Sequence, residues 1–160
     1  MTEFDIKQFS ADHVARYEAS GGTDGRMLNG YPTVVVTTRG AKSGAVRKFP
    51  VMRVSDGTRY ALVASLGGAP ANPVWYHNVR AHPEVTLRDG TEVGRYTARE
   101  VHGAERAQWW ARAVEAFPAY AGYQERTERV IPVFVLDPAP DPDPGTGPGT
   151  GTGTGATGLA

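Results

Sequence analysis

Between Gly25 and Ser55 the chain carries six cations, Arg26, Arg39, Lys42, Arg47, Lys48 and Arg53, and neither Asp nor Glu. Arg39, Lys42 and Arg47 crowd a GAKSG turn, where Ser43 adds a hydroxyl and Gly44 exposed backbone amides. Amides and cations together can cradle a phosphate; a solvated basic hairpin has the same composition. The turn is not a Walker A loop, because GAKSG leads into a strand containing Pro50 rather than into a helix. A second set is aromatic: Trp75, Tyr76, Phe117, Tyr120 and Tyr123. Tyr120 and Tyr123 are three apart and share a helix face. Rings with hydroxyl tips suit a planar, oxygen-bearing ligand, and equally a packed core. Ser65-Leu66-Gly67-Gly68 closes a strand, and its adjacent glycines admit positive φ and close approach of a flat ligand, or simply end the strand.

Other chemistries are excluded by what is missing. There is no Cys, so thiolate zinc sites, disulfides and thiol nucleophiles drop out. His13, His77, His82 and His102 lack metal-ligand spacing. No G-x-S-x-G elbow supports a nucleophilic serine, and no G-x-G-x-x-G follows a strand. The basic stretch has no accompanying nucleic-acid-reading pattern. No apolar run is long enough to span a bilayer, and the N-terminus lacks a signal peptide's apolar stretch, so a cytoplasmic location is the default.

The elements that must position these residues follow from periodicity. Residues 3–19 read as an amphipathic helix with His13, Val14 and Tyr17 on its apolar side, stopped by Gly21-Gly22. Strands are expected at 33–39, 46–54, 58–65, 84–88, 91–100 and 131–136, with hairpin signals at Asp56-Gly57 and Asp89-Gly90. Pro50 places the second strand at an edge or a bulge. Helices are expected at 73–81, 103–117 and 119–128. Two hairpins argue for antiparallel pairing, and six strands with external helices suggest an α+β fold built on a small closed or split barrel. Seven of the 20 Gly and five of the 12 Pro fall in residues 137–160. The expected domain plan is an N-terminal helix and linker (1–27), a barrel (28–137) and a Gly/Pro/Thr-rich tail (138–160) too poor in apolar residues to fold. Residues 137–160 hold three of the 17 acidic residues, Asp137, Asp141 and Asp143, so residues 1–136 carry 17 cations against 14 acids.

The segments VVVTTRGAKSGAVRKFPV, VASLGGAPANPVWYHNVRAHPEV and FPAYAGYQERTERVIPVFVL, in this order, resemble the deazaflavin-dependent nitroreductase family of oxidoreductases. The resemblance covers about residues 28–137. It implies a mainly antiparallel six-stranded split β-barrel with flanking helices, similar to the FMN-binding split barrel, and coenzyme F420, a deazaflavin carrying a phosphate and an oligoglutamate tail. On matching positions it implies Lys42, Ser43, Gly44 and Arg47 at the phosphate, and Pro50 and Val51 beside the ring. Ala64, Ser65, Gly67 and Gly68 would offer backbone and hydroxyl to the ring, Trp75 and Asn78 would line the groove, and Tyr120 and Tyr123 would close over the substrate. Tyr120, Tyr123 and Ser65 are the residues implied in the chemistry. The chain departs from the family's pattern at Ala41 and Leu66, where basic residues are common, and at Phe117, where some members have tyrosine.

The expected activity is hydride transfer from reduced F420 to a planar quinone-, enone- or nitro-type small molecule. The reactivity would be the cofactor's own, which agrees with the absence of a triad or metal set. Two alternatives share the basic turn: a split-barrel oxidoreductase using FMN, and a non-catalytic carrier of deazaflavin or another small anion. The expected partner is a small-molecule substrate and not nucleic acid, with no oligomeric state specified. Residues 1–27 have three open roles: covering the site, meeting a protein partner, or touching a membrane surface.

Overall fold

Val34, Val35 and Val36 are all buried, which requires a strand covered on both faces. In the computed structural model, which describes residues 6–24, 26–28 and 30–140 (6–10 by backbone alone), they occupy the centre of β2 (Tyr31–Arg39). The chain runs through α1 (Ile6–Ala19), β1 (Met27–Leu28), β2, β3 (Val46–Met52) and β4 (Tyr60–Val63). A 3-10 turn (Leu66–Gly68) and α2 (Val74–Ala81) follow. The second half contains β5 (Glu84–Asp89), β6 (Glu92–Glu100), α3 (Gly103–Ala116), α4 (Ala119–Glu125) and β7 (Val133–Pro138). The expected helix start at residue 3 and the tail from 141 lie outside the described residues.

The sheet is antiparallel throughout, in the order β3-β2-β5-β6-β7-β4, with β1 added beside the start of β2. It curls until its two edges approach. There the Ser55–Tyr60 bridge and a bond from Ala61 N–H to Val54 C=O (2.9 Å) join β3 to β4 at one end only. This is the expected six-stranded split barrel of an α+β fold. Its interior is filled by Val34, Val36, Phe49, Leu62, Leu87 and Phe134 among others. Trp109 and Ala113 of α3 and Tyr120 of α4 cover Val63, Val133 and Val135 on the outer side of β4 and β7.

The free edge of β3 is legible from its register. Gly40 N–H donates to Ala45 C=O and Arg53 N–H to Pro32 C=O, so the hydrogen-bonded partners alternate inward from these pairs. Lys48, Pro50 and Met52 therefore direct their backbone groups away from β2. Proline belongs there, because its missing N–H removes no ladder bond.

α1 ends as the sequence predicts. Gly21 and Gly22, both at positive φ, donate to the carbonyls of Glu18 and Tyr17, closing a Schellman cap. Val14 and Tyr17 pack on Val35, and the Tyr17 hydroxyl donates to Thr33 C=O while accepting from Gly90 N–H. The helix is thus part of the barrel's body. Val14 and Tyr17 meet β2 and Glu18 holds Lys48 of β3, and no described helix is long and apolar enough to cross a membrane.

Several elements differ from expectation. β1 is a two-residue strand that no pattern announces. β3 ends at Met52 rather than 54, and β4 is shorter than the expected 58–65 at both ends. α4 stops at Glu125 rather than 128, because Gln124 turns back to receive Ile131 N–H and donate to Arg129 C=O. Pairing also continues past 137: Pro138 faces Tyr96, and Ala139 N–H donates to Arg95 C=O.

Away from the site, Asp89 ties the lower barrel together. Its Oδ2 accepts from the Tyr60 hydroxyl (2.6 Å) and Arg53 Nε (2.8 Å), and Arg26 stands 3.9 Å from Oδ1. Burial, then the bond to Asp89, pushes the Tyr60 hydroxyl above the ordinary tyrosine range. Asp89→Ala would leave a half-buried guanidinium and a tyrosine hydroxyl without their shared acceptor. A loss of about 3–5 kcal/mol in urea unfolding is expected. Unchanged stability would mean that water replaces the carboxylate without cost.

Candidate functional site

The open seam of the barrel is a cavity of about 800 Å³. Its walls are β3, the end of β4, the start of α2 and the α3–α4 corner. Because it wraps the free edge of β3, both faces of that strand contribute, from Arg47 to Met52. On the inward face, Phe49 stacks on Trp75 with centroids 4.7 Å apart and planes 4° from parallel. That pair makes a flat apolar wall. Opposite it stand Phe117, Tyr120 and Tyr123.

Pro118 breaks the chain between α3 and α4, and the break turns the three rings onto one another. Phe117 meets Tyr120 edge to face at 5.0 Å, and Tyr120 meets Tyr123 at 6.1 Å. Tyr120 is 3% exposed, and its hydroxyl has no hydrogen-bond partner among the described residues. Asp89 Oδ1 is the fully buried, unpartnered side-chain polar atom found among them, so the Tyr120 hydroxyl retains access to open space. Desolvation, with a smaller effect of Tyr123, pushes that hydroxyl above the ordinary tyrosine range. It therefore stays protonated and available as a donor.

At the other end lies the basic turn. Arg39 Nη1 donates to Gly44 C=O (3.1 Å), and Ser43 Oγ accepts from Ala45 N–H (3.1 Å), so the turn is internally fixed. Asn78 of α2 accepts from Ala41 N–H (2.9 Å) and also lines the cavity, which docks the turn beside it. Among the described residues no carboxylate pairs with Arg39, Lys42 or Arg47. Lys48, by contrast, is held by Glu18 of α1 at 2.8 Å. Three uncompensated cations beside a deep apolar slot fit a ligand with a flat ring at one end and an anion at the other.

The sequence-derived residues divide accordingly. Arg47, Pro50, Val51, Ser65, Trp75, Asn78, Tyr120 and Tyr123 line the cavity. Lys42, Ser43 and Gly44 sit on the turn outside its wall. Ala64 is buried behind the wall, and its carbonyl is taken by Arg129. Gly67 and Gly68 also lie outside the lining. Gly68 at φ +83 serves a close approach, since a Cβ there would lie 2.6 Å from Tyr123 C=O. Met52, Val63, Leu66, Asn72 and Ala11 line the cavity without having been singled out for it. Met52 was reachable by two-residue alternation from Pro50; Ala11 arrives through tertiary packing of α1.

Comparison with known proteins agrees with this geometry. Residues 10–138 match the model of the F420H(2)-dependent quinone reductase family. An F420H(2)-dependent quinone reductase of Mycobacterium tuberculosis is 38% identical over 128 residues, covering 78% of this chain and 86% of the relative. The solved structure of an F420-H2 dependent reductase, FDR-A, is 53% identical with a TM-score of 0.64, covering 66% of this chain and 94% of its own. Another solved structure, described as a domain-swapped dimer, is 46% identical with a TM-score of 0.66, covering 83% of this chain and all of its own. The match over residues 10–138, together with relatives at 38% and 53% identity, makes the chain a member of the F420H(2)-dependent quinone reductase family of oxidoreductases.

Proposed function

We propose that the protein reduces a planar quinone-type molecule with reduced coenzyme F420, both held in the seam between β3 and α4. The observation that carries this reading is the pairing of a flat apolar slot with an adjacent turn whose Arg39, Lys42 and Arg47 have no carboxylate partner among the described residues. When bound, the reduced deazaflavin supplies the hydride. The chain's own residues do the rest. Lys42, Ser43, Gly44 and Arg47 hold the phosphate. Phe49, Pro50, Val51 and Trp75 position the ring and exclude water from one side. Ser65 and Leu66 meet the ring's polar edge at the strand end, with Ala64 behind them, Gly67 and Gly68 shaping the turn, and Asn78 beside the basic turn. Tyr120, supported by Tyr123, donates to the acceptor oxygen as negative charge develops there. Enones and nitro-bearing rings present the same flat shape and the same developing oxyanion, and belong to the expected substrate range.

A fluorescence titration with F420 and with FMN, followed by F420H2 oxidation across quinone, enone and nitro acceptors, tests the reading. Tight F420 binding, much weaker FMN binding and quinone-dependent oxidation are expected. FMN binding as tightly as F420 would replace the cofactor assignment, and F420 retention without turnover on any acceptor would make the protein a carrier.

A further inference from the structure

Arg129 lies in the connection between α4 and β7, inside the third segment that carries the resemblance, which implies no role for it. Its guanidinium donates into a single loop. Nε reaches Ala69 C=O (2.8 Å), Nη2 reaches Ser65 C=O (2.8 Å), and Nη1 reaches Ala64 C=O (3.2 Å) and Asn72 Oδ1 (2.6 Å). No carboxylate pairs with it among the described residues, so an uncompensated positive charge sits behind this wall of the cavity.

The bonds dictate where the loop's amides point. In a trans peptide the carbonyl and the following N–H face opposite ways. With the Ala64 and Ser65 carbonyls on Arg129, the N–H groups of Ser65 and Leu66 face away from it, and both residues line the cavity. Ser65 is right-handed (φ −79°, ψ −40°), while Leu66 (φ +44°) and Gly67 (φ +65°, ψ 17°) have positive φ. That succession makes consecutive N–H groups converge into a concave anion-binding nest. None of the three N–H groups finds an acceptor among the described residues. Leu66 is also the one non-glycine there with positive φ, a conformation that costs about 1–2 kcal/mol and persists only where the surroundings impose it.

We propose that Arg129 is a positioning residue that turns the Ser65 and Leu66 amides into the cavity, with the converging Gly67 amide beside them, as a donor cradle for a carbonyl or anionic oxygen of the bound ring system. This rests on the reading that the deazaflavin ring lies here. The test is an amide-resolved NMR titration of the full chain with F420, beside F420 affinities of Arg129→Lys and Arg129→Ala. The three amide resonances should shift and their exchange should slow on saturation. Both variants should bind about 10- to 100-fold more weakly, with Arg129→Ala recovering affinity when guanidinium ion is added. F420 saturation that leaves those amides unmoved would overturn the proposal, as would wild-type affinity in a folded Arg129→Ala. Should that variant fail to fold, the wild-type amide response decides by itself. Absence of any F420 saturation is a different result, which removes the ring placement and the cradle together.

Discussion

Tyr120→Phe is expected to lower turnover with a quinone acceptor by about 10²- to 10³-fold while leaving F420 affinity nearly intact, the effect of losing a single oxyanion-hole donor. The expectation rests on three observations. Tyr120 lines the cavity, its hydroxyl lacks a protein partner among the described residues, and burial keeps it protonated. Tyr123→Phe should do less, since Tyr123 is more exposed and packs at the rim beneath Arg126. The raised pKa also sets a pH signature. The neutral donor persists through pH 10, where an ordinary phenol ionises, so ionisation of Tyr120 should not lower turnover up to that pH. Steady-state oxidation of F420H2 in both Phe variants, with melting curves beside it, checks this. If both stay fully active while Tyr120→Ala loses about 3–5 kcal/mol of stability, the ring serves packing alone.

The second large effect is expected at the turn. Arg47→Ala and Lys42→Ala should each weaken F420 binding by about 10- to 100-fold, the worth of one charge-assisted bond of about 1.5–3 kcal/mol. Lys48→Ala should cost much less. Lys48 points to the opposite face of β3 and is already committed to Glu18, whereas Arg47 shares its face with Phe49 and Val51. The losses at Arg47 and Lys42 should shrink as ionic strength rises. A larger loss at Lys48 than at Arg47 would place the anion on the α1 side of the strand.

How much was readable in advance depended on whether the cause was local. The β3–β4 hairpin announced itself because Asp56 accepts from the N–H groups of Thr58 and Arg59, a contact spanning three residues. The Gly21-Gly22 stop and the Pro50 edge were legible for the same reason. The Tyr60–Asp89–Arg53 cluster was not, because its members are 29 and 36 residues apart and meet only when the sheet curls. Arg129 was equally silent. In ERTERVIP it reads as one more surface charge, and its four acceptors, at Ala64, Ser65, Ala69 and Asn72, lie 57–65 residues away. Motif order brought out Arg47, Pro50, Val51, Ser65, Trp75, Asn78, Tyr120 and Tyr123, which line the cavity, while the wall behind the loop is assembled by contacts too distant in sequence to be read.

The unzipped seam between β3 and β4 has a bearing on solubility. A sheet edge with unused peptide groups is a template onto which another chain can add a strand, and seeded aggregation begins this way. A ligand seated in the seam as proposed needs this edge open, and pairing would then be no way to protect it. Pro50 offers a compromise: at an outward-facing position it deletes one donor from the template, leaving a gap that a ligand tolerates and an incoming strand does not. Lys48 adds a charge on the same edge. A ring bound as proposed would cover what these two leave exposed, so the cofactor would guard the fold against strand addition as well as supply a reagent, and cells poor in it would be a harsher place for the chain to persist.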